Sequence, residues 1–205
     1  MPNSDCVCLL SGGLDSVTLL EKLVQEGKKP LCVSFDYGQR HRKELTFGGK
    51  AAEKRGLERI VLPLSLCGES ALTRHSDIPM GIPAGDPKQS PTVVPGRNLA
   101  MIAMAASVGT GDIYIGCNAD DAAVYADCRI AFLKSVNKSI LIGYGRELHF
   151  PFVELTKLQI YALSKALKIK STEHWSCYAG GQVPCGQCGP CTAIKEAKDA
   201  YRRRS

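Results

Sequence analysis

The sequence predicts an α/β protein: a doubly wound parallel sheet followed by a small metal-binding segment at its C-terminal end. Three observations carry this reading. Short apolar runs alternate with stretches of helical periodicity from Asp5 to Leu64. A glycine-rich turn, Ser11-Gly-Gly-Leu-Asp-Ser16, stands at the first strand-to-helix junction. Four of the ten cysteines crowd between Cys177 and Cys191. Strand–helix alternation implies parallel strands, because the crossovers place helices on both faces of the sheet.

The elements follow in order. Residues 5–10 form an apolar run ending in Ser11-Gly-Gly, the pattern of a buried strand entering a tight turn. Over 16–26, Val17, Leu20 and Val24, with Leu19 and Leu23, recur at helical spacing, and Gly27 stops the run. Residues 30–35 read as a second strand, 40–55 as a helix ended by Gly56, and 59–64 as a third strand. Residues 65–95 are rich in Gly, Pro, Ser and Asp; a connection this long is a lid, a binding loop or partly disordered. Residues 97–108 are almost wholly apolar after Asn98, as expected of a buried helix. A fourth strand is expected over 112–117, a helix within 125–142 and a fifth strand over 147–153. Thr156-Lys-Leu-Gln159 has the form of a capping box and opens a helix running to about Leu167. This organisation divides the chain into a nucleotide-binding and catalytic domain, 1–170, and a cysteine tail packed on it, 171–205.

With 205 residues the chain can build one core and a small appendage. Its hydrophobic fraction of 44% and charged fraction of 22% are ordinary for a globular protein. No run of about 18 apolar residues suggests a membrane span. The start has no basic stretch leading into an apolar one, so no signal peptide and a cytoplasmic location are expected. In that reducing setting Cys6, Cys8, Cys32, Cys67, Cys117 and Cys128 are expected as buried thiols. The net charge of +6 fits an anionic ligand such as ATP, an acidic substrate or nucleic acid. Part of it lies in the end, Tyr201-Arg-Arg-Arg-Ser205, expected as a solvated, frayed terminus.

Glycines at a strand-to-helix turn let the backbone bend sharply and approach a ligand. The helix start adds unpaired N–H groups and a partial positive charge, which together cradle phosphate. No Gly-Lys-Ser/Thr follows, so this is not a Walker A loop, and the dinucleotide fingerprint is absent. Ser16 as a simple helix cap is the bland alternative. Cys177-x7-Cys185-x2-Cys188-x2-Cys191 offers four thiolates that can close a tetrahedron around Zn²⁺ in a structural site. An iron–sulfur cluster would use the same ligands, and a redox-active Cys-x-x-Cys is a further alternative.

Ser11 to Ser16 resembles the pyrophosphatase loop, Ser-Gly-Gly-x-Asp-Ser, of the PP-loop ATP pyrophosphatases. Tyr37-Gly-Gln-Arg-His41, Val94-Pro-Gly-Arg-Asn98, the stretch from Gly116 to Arg129, Thr156-Lys157 and Ser176-Cys-Tyr178 resemble, in order, the motifs of the 7-cyano-7-deazaguanine synthase (QueC) family. The resemblance spans nearly the whole chain. It implies an adenine nucleotide alpha hydrolase-like, Rossmann-like fold. It also implies conversion of 7-carboxy-7-deazaguanine and ammonia, with ATP, to 7-cyano-7-deazaguanine through an adenylated acid and an amide, in queuosine or related deazapurine biosynthesis.

The resemblance further implies site roles. Leu10, Ser11, Gly12, Gly13, Leu14, Asp15 and Ser16 would hold the departing pyrophosphate, with Asp15 placing Mg²⁺. Asp36, Tyr37, Gln39, Arg40 and His41 would complete the nucleotide site. Arg97, Asn98, Asp121, Tyr125, Asp127 and Arg129 would bind the deazapurine acid, and Asp15, Arg97 and Lys157 would act in catalysis. The four clustered cysteines would hold one structural zinc. Small-molecule substrates, a homodimer, and no nucleic acid or membrane partner are expected.

The residues can be weighed independently of the resemblance. Arg40, His41, Arg42 and Lys43 crowd an expected helix start, where cations oppose the dipole. They read either as an anion site or as side chains pointing into water. Arg97 reads as a phosphate or carboxylate clamp, or as a charge-paired cap. Asp127 reads as a substrate contact or as an acid pairing with a nearby Arg, and Cys128 as a packed small residue or a nucleophile. The family usually has Tyr-Pro-Asp-Cys-Arg where this chain has Tyr125-Ala-Asp127, and Asp-Tyr-Ser-Gly-Tyr where it has Asp121-Ala-Ala-Val-Tyr125. These departures keep open an amide-forming variant that stops at 7-amido-7-deazaguanine. The shared pyrophosphatase loop keeps open a tRNA-modifying ATPase.

Overall fold

The computed structural model describes residues 4–66, 68–73, 77–83 and 86–204. Its sheet has five parallel strands: β1 (Cys6–Leu9), β2 (Pro30–Asp36), β3 (Arg59–Pro63), β4 (Asp112–Tyr114) and β5 (Leu148–His149). They lie in the order β3-β2-β1-β4-β5. Cys6 faces Pro30 on one side and Asp112 on the other, so β1 is central. The chain winds outward from β1 to β3, then returns to β4 and β5. Where that direction reverses, a crevice opens beyond the carboxyl ends of the strands.

Among the described residues seven helices flank the sheet: α1 (Leu14–Gln25), α2 (Lys43–Lys54), α3 (Arg97–Ala106), α4 (Asp121–Val124), α5 (Ile130–Tyr144), α6 (Lys157–Ala166) and α7 (Gly189–Arg202). Side chains of a strand alternate between faces, and β1 shows it. Val7 and Leu9 pack with Ile102 of α3 and Leu133, Val136 and Ile140 of α5. Cys8 and Leu10 pack with Val17 and Leu20 of α1, Ala51 of α2, Ile160 of α6 and Ala197 of α7. Both faces are covered, as the doubly wound reading requires. β2 therefore reads as a continuous apolar run, with Leu31, Val33 and Phe35 on one face and Cys32 on the other.

Several sequence expectations need correction. The second helix starts at Lys43, not residue 40. The buried Gln39 side chain accepts the Tyr37 N–H and donates to the Phe35 carbonyl, holding the chain in a turn there. α3 is not wholly buried: Asn98, Ile102, Ala105 and Ala106 are inside, but Leu99 is 48% exposed. It covers only one sheet face, so a single stripe suffices. β4 and β5 are shorter than expected. Within 65–95, Pro87–Thr92 forms a 3-10 turn capped by the Asp86 carboxylate, which accepts the Lys88 N–H at 2.8 Å. The frayed tail is wrong through Arg202. α7 continues to that residue, and Tyr201 meets Tyr161 edge-on at 5.8 Å. Small residues on α7, Ala193 and Ala197, are buried and permit this close packing. Ser205 lies outside the described residues. The capping box at Thr156 forms as expected.

Cys6, Cys8, Cys32, Cys117 and Cys128 are buried and unoxidised, while Cys67 lies outside the described residues. Among the described residues no helix is long and apolar enough to cross a membrane.

Gly12 is among the glycines dictated by space. Gly12 has φ +101°, and a Cβ there would stand 2.1 Å from the Glu44 carbonyl oxygen and 2.6 Å from the Gly48 nitrogen. Both the conformation and the contact exclude a side chain. We expect Gly12→Ala to cost at least about 2 kcal/mol of stability, read as a lowered midpoint in chemical denaturation. A midpoint equal to the parent's would refute the contact.

Candidate functional site

The turn after β1 is organised by two hydroxyls. Ser11 Oγ accepts the Gly13 N–H and Ser16 Oγ accepts the Gly12 N–H, each at 3.1 Å, and the two oxygens are 3.1 Å apart. Gly13, not Ser16, is the N-cap of α1, and no side chain caps it. The Leu14 N–H donates to Ser176 Oγ at 3.3 Å. Serine hydroxyls thus take the N–H groups of Gly12, Gly13 and Leu14 at the entry to α1, where helix geometry supplies no intrahelical acceptors.

Beside that turn lies a charged network. Asp15 Oδ2 accepts from Lys157 Nζ at 2.6 Å and from Asn118 Nδ2 at 3.1 Å. Asn118, fully buried, also donates to Asp121 Oδ2 at 2.6 Å and accepts the Asp121 N–H at 3.0 Å. Asp120 accepts the Lys157 N–H at 2.7 Å and so holds the start of α6. Burial raises the Asp121 pKa to about 6, against the pull of Lys157. Burial also opposes the charge on Lys157, but Asp15 and Asp121 outweigh it and lift its pKa above the ordinary value. Asp15 Oδ1 is buried and has no hydrogen-bond partner. A carboxylate oxygen left over in this way suits a hard cation such as Mg²⁺.

The other end of the crevice is aromatic. The Arg97 guanidinium stands 5.7 Å over the Tyr37 ring and 6.0 Å over the Tyr125 ring, and donates to the Tyr37 hydroxyl at 3.4 Å. Its contacts are π-faces and a phenol rather than a pairing carboxylate. The Tyr125 hydroxyl lies 2.7 Å from Thr92 Oγ1 and 3.4 Å from the Tyr178 hydroxyl. The His41 ring packs on Tyr178 at 5.1 Å. Burial drives the His41 pKa down to about 3 and the Glu44 pKa up to about 8, so both are neutral at pH 7. Their side chains are 3.7 Å apart.

A cavity of about 250 Å³ joins the two ends. Leu10, Ser11, Gly13, Leu14, Asp15, Ser16, Tyr37, His41, Arg97, Asn98, Asp121, Tyr125 and Lys157 all line it. Six other candidates are not in its wall. Gly12 packs on α2 instead. Asp36 pairs with Arg42, and Gln39 shapes the turn between β2 and α2. The Arg40 N–H donates to the Leu72 carbonyl. Asp127 accepts the Asn98 N–H at 3.2 Å, capping α3, and Arg129 donates to the Ala122 carbonyl. Arg42 and Lys43 do not make an anion site: Lys43 Nζ sits 4.0 Å over Trp175 and donates to the Gln182 carbonyl at 2.6 Å. Cys128 is buried beside Asn98, which donates to its sulfur at 3.3 Å.

The ligand atoms of Cys177, Cys185, Cys188 and Cys191 all lie within 4.8 Å of one another. Tetrahedral zinc with bonds of about 2.3 Å sets its sulfurs about 3.8 Å apart, so the four thiols fit one ion. The Cys185 N–H donates to Cys177 Sγ at 3.3 Å and the Cys188 N–H to Cys185 Sγ at 3.4 Å, so backbone turns hold the sulfurs toward one another.

Sequence reasoning missed Glu44, Asn118, Asp120 and Ser176 at this site. Glu44 was signalled by being the one acid after four consecutive basic residues. Asn118 and Asp120 follow the fourth strand, where parallel sheets bind ligands. Ser176 sits in a named motif without an assigned role.

The family model described as "Queuosine biosynthesis protein QueC" matches residues 5–202. The chain is 36% identical to 7-cyano-7-deazaguanine synthase of Thermoplasma acidophilum, over 93% of this chain and 86% of that one. It is 37% identical to the enzyme of that name from Porphyromonas gingivalis, over 94% and 91%. Among solved structures it resembles a tRNA thiolase, NcsA, from Methanococcus maripaludis, solved with its 4Fe-4S cluster, with a TM-score of 0.53. That match is at 16% identity and covers 100% of this chain and 68% of the other. NMN synthetase from Francisella tularensis gives a TM-score of 0.51 at 15% identity, over 98% and 85%. At such identities these two show the fold alone.

The neutral Glu44 makes stability depend on pH. A carboxyl whose folded pKa is raised contributes stability that is fully present below its unfolded pKa, near 4.5, and is lost as pH rises through about 8. Glu44→Gln cannot ionise and escapes that loss. From pH 5 to 8 the parent should therefore lose on the order of 2–4 kcal/mol relative to the variant, measured by denaturation at each pH. A pH-independent difference would show that Glu44 ionises normally.

Proposed function

The chain belongs to the QueC family, and on that premise we propose that it is an ATP-dependent carbon–nitrogen ligase that makes 7-cyano-7-deazaguanine in queuosine or related deazapurine biosynthesis. The observation that carries the reading is one cavity with two chemically different ends. Its polar end presents helix N–H groups, Lys157 and Asp15, and its aromatic end presents Arg97 among three tyrosines.

In the first round a carboxylate oxygen of 7-carboxy-7-deazaguanine attacks the α-phosphorus of ATP, pyrophosphate leaves, and ammonia displaces AMP to give the amide. In the second the amide oxygen attacks another ATP, pyrophosphate leaves again, and loss of AMP and of both protons on nitrogen gives the nitrile. The N–H groups at the start of α1 bind the departing pyrophosphate. Lys157, kept charged by Asp15 and Asp121, offsets charge that gathers at the α-phosphate. Magnesium, when bound, neutralises phosphate charge, and Asp15 is the residue we assign to hold it. Arg97 receives the substrate carboxylate, while Tyr37, Tyr125 and Tyr178 supply surfaces for the flat bicycle. Asp121, near 6, is the cavity carboxyl suited to accept nitrogen protons close to neutrality.

The metal we assign to the four cysteines is zinc, in a structural role, since protein thiols fill all four positions. We assign the enzyme to the cytoplasm and a homodimeric state. Leu141, Ile142 and Tyr144 are 46%, 76% and 57% exposed on α5, an apolar strip that a second copy would cover.

Products of 7-carboxy-7-deazaguanine, ATP and ammonia, resolved by mass, test the proposal. We expect the nitrile with two AMP per turnover. Amide accumulating without nitrile would restrict the enzyme to the first round, and an untouched acid would reject the function. Asp15→Ala should lower AMP formation by at least about 100-fold while retaining its metal.

A further inference from the structure

The segment Trp175-Ser-Cys-Tyr178 touches both the phosphate loop and the cysteine cluster. Ser176 and Tyr178 line the cavity, while Trp175 and Cys177 lie in a small core with Ala71, Ile78 and Cys188, against which Tyr178 also packs. The backbone joins in as well. The Trp175 N–H donates to the Gly12 carbonyl at 2.9 Å, and the Trp175 indole N–H donates to the Cys177 carbonyl at 3.1 Å. Between these two bonds stands Ser176, whose Oγ accepts the Leu14 N–H at 3.3 Å and lies 3.6 Å from where a Cβ on Gly13 would be.

We propose that Ser176 is a positioning residue of the pyrophosphate loop, held in register by the metal at Cys177, so that filling the metal site and filling the phosphate site strengthen each other. The inference rests on the reading of residues 11–16 as the pyrophosphate site and of the four cysteines as a zinc site. A serine hydroxyl accepts and donates at once. While it accepts the Leu14 N–H, its own hydrogen is free to reach a phosphate oxygen arriving at the helix start. The hydroxyl stays there only if the next residue is pinned, and Cys177 is pinned when its sulfur ligates. Without the ion, one end of the strap loses its anchor and the Gly12 carbonyl keeps only a backbone bond to a looser chain. Coupling of binding free energies is reciprocal. Pyrophosphate must therefore hold the metal more tightly to the same extent that the metal holds pyrophosphate.

The test uses the zinc-loaded full chain and magnesium pyrophosphate. Zinc release to a chromogenic chelator is timed with and without the probe, and pyrophosphate affinity is measured by calorimetry. In the parent, saturating pyrophosphate should slow release at least about fivefold. Ser176→Ala should bind about five- to tenfold more weakly and reduce the slowing to under about twofold, and Ser176→Thr, which keeps the hydroxyl, should restore both. Emission from Trp175, the only tryptophan in the chain, and a zinc content equal to the parent's establish that each variant is folded. Pyrophosphate that binds the parent without slowing release overturns the coupling. Full slowing in Ser176→Ala overturns the role of the hydroxyl. A parent that binds no pyrophosphate defeats the nucleotide reading itself, and the inference with it.

Discussion

The close approach of the phosphate loop to its neighbours is the constraint on which the site depends. Gly12 lies so near α2 that no side chain fits between its Cα and the Glu44 carbonyl. From the other side its own carbonyl accepts the Trp175 N–H. The loop is thus clamped between a helix that precedes the long connection and a strap that follows the last β-strand. Residues far apart in sequence must be in place before the turn into α1 takes this shape. The preorganisation is structural, so a ligand arriving there meets donors already oriented.

Burial then sorts the charges around that turn. Lys157 keeps its charge against burial because Asp15 lies 2.6 Å from it and Asp121 nearby. Glu44 and His41 have no such partner, and desolvation keeps both neutral. The result is a cavity that shows a polyanion a lysine, an arginine and helix N–H groups without an opposing glutamate charge next to the loop. Arg97 holds its charge among aromatic faces, which stabilise a cation without consuming its hydrogen-bond donors. Apart from the one given to the Tyr37 hydroxyl, those donors remain available to a carboxylate.

The parallel sheet and the loop were legible because their signals are local. An apolar strand, two glycines and a helical stripe in immediate succession specify one another, and Thr156 to Gln159 predict their own capping box. The cysteine cluster was legible from spacing alone. Other features depend on contacts that sequence distance hides. Residues 40–42 look like a helix start until Gln39 is seen folding inward to satisfy Tyr37 and Phe35. That Asp127 accepts the Asn98 N–H at the start of α3 is likewise invisible until the fold brings the two together. Arg202 looks like a frayed end, yet α7 reaches it because Tyr201 has Tyr161 to lean on. Asn118 gives no periodic signal at all. Its importance comes from being fully buried between two carboxylates, a property of the fold rather than of its neighbours in the chain.

The central claim is that this cavity turns an oxygen of the acid into an ester of AMP. Isotope transfer tests it most directly. With both carboxylate oxygens of 7-carboxy-7-deazaguanine labelled by ¹⁸O, every AMP released in the presence of ATP, magnesium and ammonia should carry one labelled oxygen, and the final nitrile none. Unlabelled AMP, or label appearing in orthophosphate, would contradict the account.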